Sequence, residues 1–252
     1  MAAMADFPAP SDQHSPDYAD ASRAALVEAL TAAGPGMPTL CEGWRTEHLA
    51  AHLVLRDSSP AAAGLLLPPL AGALERRTVA LGDQHASDRA YAELVARVER
   101  GPLPETAGAG VVPRLRGLAA RARRSRAGRA VADQVQLLEF FVHTEDVRRA
   151  QERWAPRILA DDYADALYTR LRARARALYR DEDTGVVLVR RARTGSRTDN
   201  APHTVRRAGD DGVSVRVTGA AGELVMHAFG RRGAALVTED RVMDGPVGAA
   251  SA

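Results

Sequence analysis

The sequence predicts a mainly α protein, in which a helical bundle is followed by a small α+β domain. Up to about residue 181, apolar residues recur at spacings of three to four, the period of amphipathic helices. After Asp181 the period changes to two, as in Val213, Val215 and Val217, and this alternation is typical of a half-buried strand. With 252 residues, 46% of them hydrophobic, the chain has enough apolar material for a packed core.

The change of period also predicts the domain boundaries. We expect the bundle over residues 16–181 and the small α+β domain over 182–241. Residues 1–15 and 242–252 are expected to be flexible tails, the first because it is rich in Ala, Pro, Asp and Ser. A domain of roughly 60 residues is near the lower limit for folding alone, so we expect it to pack on the bundle.

The helices of the bundle are predicted from their start and stop signals. Ser15-Pro16 supplies an N-cap and a proline at the first helical position, and Gly34-Pro35-Gly36 ends that helix. Thr46 is expected to begin a second helix that runs to about Arg56, and Pro60 and Pro68-Pro69 are expected to interrupt the chain after it. Three further helices are expected over residues 87–100, 131–150 and 160–180, with a loop rich in Gly and Pro over 101–113.

The C-terminal region is predicted to combine strands with one short helix. We expect strands over residues 186–189, 213–217 and 235–238. Between the last two, residues 221–229 predict a helix that Gly230 ends.

Composition excludes several classes of function. All 34 basic residues are arginine, so the chain has no lysine for a Schiff base or for a phosphate-binding P-loop. The single cysteine, Cys41, excludes an intramolecular disulfide and any cysteine-rich metal site, and we interpret it as an inert buried thiol. The sequence has no apolar run of ~18 residues and no secretory signal over residues 1–16, so we expect a cytoplasmic protein without a membrane span.

Two arginine clusters raise the question of a nucleic-acid surface. They lie over residues 114–129 and 170–180, although the net charge is only +2. The first cluster has no interleaved aromatic residues for base stacking, and acidic residues flank the second. We interpret both as solvated helix faces and expect no nucleic-acid partner.

Histidine and glutamate residues at helical spacing indicate a metal site. Glu139 and His143 lie one turn apart on a predicted helix, and His52 lies within an otherwise apolar helix one turn after His48. Helical bundles build metal sites from side chains on facing helices, and a His, His, Glu set suits zinc, with nickel, cobalt or iron as alternatives. The same spacing is also compatible with hydrogen-bonded core histidines, so both interpretations stay open at this point.

Three segments resemble one known superfamily. Thr39-Leu40-Cys41-Glu42-Gly43-Trp44 followed by Leu49-Ala50-Ala51-His52-Leu53 resembles the opening of the DinB-like, mycothiol-dependent maleylpyruvate isomerase superfamily. Residues 139–150 resemble the second signature of an actinobacterial, metal-binding branch, and residues 217–231 resemble the C-terminal domain. The Ala-, Arg- and Gly-rich composition fits an actinobacterial source.

The resemblance implies a fold, a site and a chemistry. It implies a DinB-like helical bundle whose metal ligands are His52, Glu139 and His143. It also implies an arginine from the C-terminal domain that binds the substrate carboxylate, for which Arg231 is the best match and Arg232 the alternative. Thr144 stands where the close branch would have another histidine.

We therefore expect an enzyme, a mycothiol-dependent isomerase or S-transferase that acts on a small electrophilic, acidic substrate. Zn²⁺, or Ni²⁺ or another divalent metal, would bind the thiol, with mycothiol as co-substrate. A metal-dependent hydrolase on the same three ligands and a non-enzymatic binding module are the alternatives. The expected partners are small molecules, and the expected oligomeric state is monomer or homodimer.

Overall fold

The structure, a computed structural model, describes residues 18–58, 68–101, 126–191 and 201–243. The predicted tail over 1–15, most of the predicted loop over 101–113 and most of the first arginine cluster lie outside the described residues. Strand pairing continues to Met243, two residues past the predicted end of the α+β domain. No helix in the described ranges is both long and apolar enough to cross a membrane.

Helices dominate the N-terminal part of the described chain, and a four-stranded sheet with one further helix follows. The bundle helices are α1 Tyr18–Ala33, α2 Thr46–Ser58, α3 Pro68–Asp83, α4 Asp88–Arg100, α5 Arg126–Arg149 and α6 Asp161–Leu178. The C-terminal elements are β1 Gly185–Arg190, β2 His203–Arg206, β3 Val213–Gly219, α7 Ala221–Ala228, a 3₁₀ turn Arg232–Ala234 and β4 Thr238–Met243. This architecture confirms the predicted mainly α fold with a small α+β region.

The prediction was wrong for α3, because the proline pair begins this helix instead of interrupting the chain. Pro68 is the first residue of α3 and Pro69 the second. Proline is tolerated in the first turn, where its missing N–H would have no partner within the helix. By contrast, the helix expected over residues 87–100 is present as α4, and Ser87 is its N-cap, since its hydroxyl accepts the N–H of Ala90 at 3.4 Å.

The sheet has the strand order β2-β1-β3-β4. β1 and β3 run parallel at its centre, and β2 and β4 flank them antiparallel. The prediction of a strand over residues 235–238 was wrong, since β4 begins at Thr238. The segment just before it is held by a side chain, because the Glu223 carboxylate accepts the N–H of Leu236 at 2.8 Å.

Helix α5 is shared between two hydrophobic clusters. One face contributes Phe140 and Val147 to a cluster with α1, α2 and α4. The adjacent face contributes Phe141 to a second cluster with α6, α7 and the sheet. α6 thus shares its core with the strands, across the predicted boundary at residue 181, and α5 positions side chains against both parts of the protein.

Candidate metal centre

Two histidines from different helices face each other, and one of them lies on α5. His52 lies on α2 and His143 on α5, and their ring centroids are 5.6 Å apart in an edge-to-face arrangement. Trp44 packs against His52 as well, with 5.0 Å between ring centroids, and its indole N–H donates to Glu75 at 2.8 Å. The structure therefore brings together two of the three predicted metal ligands.

The His52 ring is suited to remain neutral. Burial, together with the nearby His143 and Arg56, lowers its pKa to about 3. Within the described ranges its ring has aromatic neighbours but no hydrogen-bond partner. A neutral imidazole with a free nitrogen lone pair is the form that binds a metal ion.

The third predicted ligand, Glu139, is one turn before His143 on α5 and is engaged by Arg56 of α2 in an ion pair. Both side chains are largely buried, 16% and 13% exposed. In the described chain, the trio whose ligand atoms all lie within 4.8 Å of one another is Cys41, His143 and Asp146. In this structure Glu139 therefore faces Arg56 and does not form so close a group with the two histidines.

Asp146 organises the other side of His143. Its Oδ2 lies 2.9 Å from His143 Nδ1 and accepts the Cys41 thiol at 3.2 Å. Arg231 donates to it through Nε to Oδ1 at 2.8 Å and through Nη2 to Oδ2 at 2.7 Å. Burial opposes ionisation of Asp146, but the hydrogen bonds from His143 and Arg231 outweigh it and lower the pKa to about 2. An ionised Asp146 keeps the proton of His143 on Nδ1 and leaves Nε2 as an acceptor.

Cys41 lies within this group as a thiol. Burial and the neighbouring Asp146 raise its pKa to about 12, although Arg231 opposes the shift. The Sγ atom also accepts Arg231 Nη2 at 3.3 Å. Without a metal ion, Cys41 is therefore protonated at neutral pH and acts as a hydrogen-bonding group.

The structure distinguishes the two adjacent C-terminal arginines. Arg231 reaches Asp146 and Cys41, and its Nη1 donates to the Phe229 carbonyl at 2.7 Å. Arg232 instead pairs with Glu182 and is about half exposed. Since a guanidinium has five N–H donors, these four contacts leave Arg231 one donor.

His48 is occupied elsewhere, although it is one turn from His52. Its Nδ1 accepts the N–H of Arg45 at 3.0 Å, and its Nε2 contacts Asp83 at 3.0 Å. Both ring nitrogens are therefore engaged, and His48 does not reach the candidate centre.

Arg56 and Asp146 were not among the predicted site residues. Arg56 follows His52 by four residues, so helical spacing alone places it next to the predicted ligand. No comparable local signal joins Asp146 to Arg231, which is 85 residues away.

The comparisons with known proteins identify the fold. No family model matches the sequence, and no curated protein matches it. Among solved structures, a mutant of the mycothiol-dependent maleylpyruvate isomerase is similar, with a TM-score of 0.52 and 16% identity over 88% of this chain and 90% of that one. A second crystal structure of that enzyme gives a TM-score of 0.48 at 17% identity, with the same coverage. The predicted resemblance is thus confirmed for the fold.

Proposed function

We propose that this protein is a zinc-dependent enzyme that activates a low-molecular-weight thiol, mycothiol, for isomerisation or S-transfer on a small, electrophilic, acidic substrate. The observation that carries the proposal is the facing pair His52 and His143, contributed by two helices. The similar solved structure is of a mycothiol-dependent isomerase, which supports the thiol as co-substrate.

The residues present fit a zinc ion. Two imidazoles that share one zinc at Zn–N distances of ~2.0 Å have ring centres roughly 5 Å apart, close to the 5.6 Å between His52 and His143. Glu139 would be the third ligand, after exchanging Arg56 for the ion. Three protein ligands leave one coordination position, where zinc would lower the pKa of a bound thiol.

The protein's own groups prepare this site. Asp146 orients His143 through Nδ1, and a buried carboxylate in that position strengthens the imidazole as a ligand. Arg231 fixes Asp146 from the C-terminal region and keeps one N–H, with which it would contact the second substrate. Trp44 packs against the His52 ring, with 5.0 Å between ring centroids.

The close trio Cys41, His143 and Asp146 fits a metal ion less well. Both Asp146 oxygens already accept charged hydrogen bonds from Arg231. The raised pKa of Cys41 opposes the thiolate that a metal would require. We therefore assign the zinc to His52, Glu139 and His143.

The experiment measures metal per chain by elemental mass spectrometry on protein purified without a chelating column. We expect about one zinc per chain in the parent and in His85→Ala, whose ring contacts the Leu81 carbonyl, and none in His52→Ala. Activity of the zinc-loaded parent should then require mycothiol. Folded protein that neither contains nor takes up zinc would contradict the proposal, and turnover without a thiol would favour a hydrolase.

A further inference from the structure

We infer that Arg56 binds the anionic group of the second substrate and that it becomes available for this when Glu139 ligates the metal ion. The inference rests on the proposed function and deepens it, because it assigns the substrate's negative charge to a residue of α2. The substrate class is a small molecule that carries a carboxylate close to its electrophilic carbon.

Two pairs of side chains, one helical turn apart, join α2 to α5. In the first pair the rings of His52 and His143 face each other, and in the second Arg56 forms an ion pair with Glu139. Residues one turn apart on a helix are about 5–6 Å apart at their Cβ atoms. A thiol bound at the metal site and the Arg56 guanidinium one turn further along α2 would therefore suit the two ends of a small acid.

The charges of the site change when the ion binds. In the metal-free protein the charges of Arg56 and Glu139 balance each other. If Glu139 ligated a divalent ion, one positive charge would remain at the metal and a second on Arg56. A thiolate at the metal and a substrate carboxylate at Arg56 would together balance both charges, so the site should select an anionic substrate in addition to the thiol.

Among the described neighbours of the freed Arg56, positive groups offset the one nearby carboxylate. Asp57, the next residue, favours the charge on Arg56, but it is held in an ion pair by Arg23 at 2.7 Å. Arg174 of α6 adds positive potential next to it. Since the Arg56 side chain is only 13% exposed, its guanidinium needs a new anionic partner once Glu139 has left.

Arg231 is less suited to this role. Its charge is balanced by Asp146, and four of its five donors are engaged. Releasing it for a substrate carboxylate would leave the buried carboxylate of Asp146 without its cation. Arg231 is thus a positioning residue for Asp146 that offers one hydrogen bond, whereas Arg56 offers a complete guanidinium edge.

The first test measures zinc affinity by competition with a chelator for the parent, Arg56→Gln and Arg176→Gln, an exposed arginine on α6 that serves as the matched control. Because Arg56 competes with zinc for Glu139, we expect Arg56→Gln to bind zinc about tenfold more tightly and the control to be unchanged. A merely structural Arg56 would loosen the site, so unchanged or weaker zinc binding overturns the inference while the proposed function stands. Absence of zinc binding in all three proteins overturns the proposed function itself.

The second test uses acetate as the probe and acetamide as its uncharged control, with binding followed by saturation-transfer NMR. We expect acetate to bind the zinc-loaded parent and Arg176→Gln equally, to bind Arg56→Gln about tenfold more weakly, and to keep part of its affinity in Arg56→Lys. The zinc-free parent should bind little acetate, since Glu139 then occupies Arg56. Equal acetate affinity in Arg56→Gln and the parent, or loss of binding in Arg231→Gln alone, would overturn the inference.

Discussion

Glu145 and Asp146 are neighbours on α5 and both are fully buried, but the groups around them differ. Glu145 is surrounded by three arginines: Arg148 at 2.8 Å, Arg149 at 2.5 Å and Arg157 at 2.7 Å. Asp146 has one arginine, Arg231, and otherwise contacts the imidazole of His143 and the thiol of Cys41.

The difference indicates which carboxylate holds the fold and which prepares the site. Arg149 connects Glu145 to Glu223 of α7 at 2.7 Å and stacks over Trp154, so this network clamps the C-terminal region onto α5. Asp146 makes a similar link through Arg231, but one of its partners is a predicted metal ligand. A carboxylate that meets only arginines can stabilise packing, whereas one that meets a histidine also sets its tautomer.

The largest expected effect is the loss of stability when Glu145 is replaced. Glu145→Gln removes the buried carboxylate charge that buried Arg149 and partly exposed Arg148 and Arg157 share, and it should lower the free energy of unfolding by about 3–5 kcal/mol, measured by chemical denaturation. Exposed Glu93, paired with Arg89 on α4, is the control, and Glu93→Gln should cost no more than ~0.5 kcal/mol. The folded Glu145→Gln protein should keep its zinc, and loss of the zinc would remove the distinction between the two carboxylates.

Asp146→Asn should act on the metal instead. Weakening the hydrogen bond that orients His143 is expected to lower zinc affinity about 10- to 100-fold, measured by chelator competition. If zinc affinity stayed within twofold of the parent, Asp146 would only stabilise the packing, as Glu145 does.

Acid should affect the metal-free protein through Asp146. Its folded pKa of about 2 is below the ordinary value near 3.9, so the ionised group stabilises the fold above pH ~4. This stabilisation, about 2 kcal/mol, should be lost as the pH falls from ~4 towards 2. Denaturation curves between pH 2 and 5 should show a shallower loss for Asp146→Asn, and parallel curves would contradict the assigned pKa.

Gly222→Ala tests the packing of α7 against α5, which brings the C-terminal region to Glu145 and Asp146. A Cβ at Gly222 would lie 2.7 Å from Cζ of Phe141, which is too close for an undistorted contact. The resulting overpacking should cost about 1–3 kcal/mol of unfolding free energy. Gly233→Ala, whose Cβ would meet no heavy atom within 4 Å, is the matched control and should be near neutral.

The smallest effect is expected for Cys41→Ala, which removes one hydrogen-bond donor to Asp146. We expect a loss of about 1 kcal/mol in stability and no loss of zinc, measured on the same preparation. If zinc disappeared while the protein stayed folded, the ion would belong to Cys41, His143 and Asp146, and the assignment to His52, Glu139 and His143 would be wrong.

Local sequence patterns predicted most of the elements. The helix expected over residues 87–100 is α4, and Gly230 follows α7 with a positive φ of 81°, a conformation that glycine adopts easily. The errors at Pro68 and at β4 have local and distant causes, respectively. Proline at a helix start and proline between helices look alike in sequence, and the Glu223 contact that holds Leu236 spans 13 residues.

In the candidate site, local sequence patterns predicted only the spacings along each helix. The sequence by itself determined that His143 follows Glu139 by one turn and that Arg56 follows His52 by one turn, because helical geometry fixes such spacings. The family resemblance added the prediction that His52, Glu139 and His143 belong to one site.

Only the tertiary structure decided which side chains meet across helices. In the folded protein Glu139 pairs with Arg56, and Arg231 rather than Arg232 reaches Asp146. Asp146 also contacts His143 and Cys41, so it is the common partner of these three groups. These contacts depend on how α2, α5 and the C-terminal region pack, and packing is set by the whole core at once. The spacing of apolar residues indicates which face of a helix is buried. The charged side chains that contact this face come from other parts of the chain.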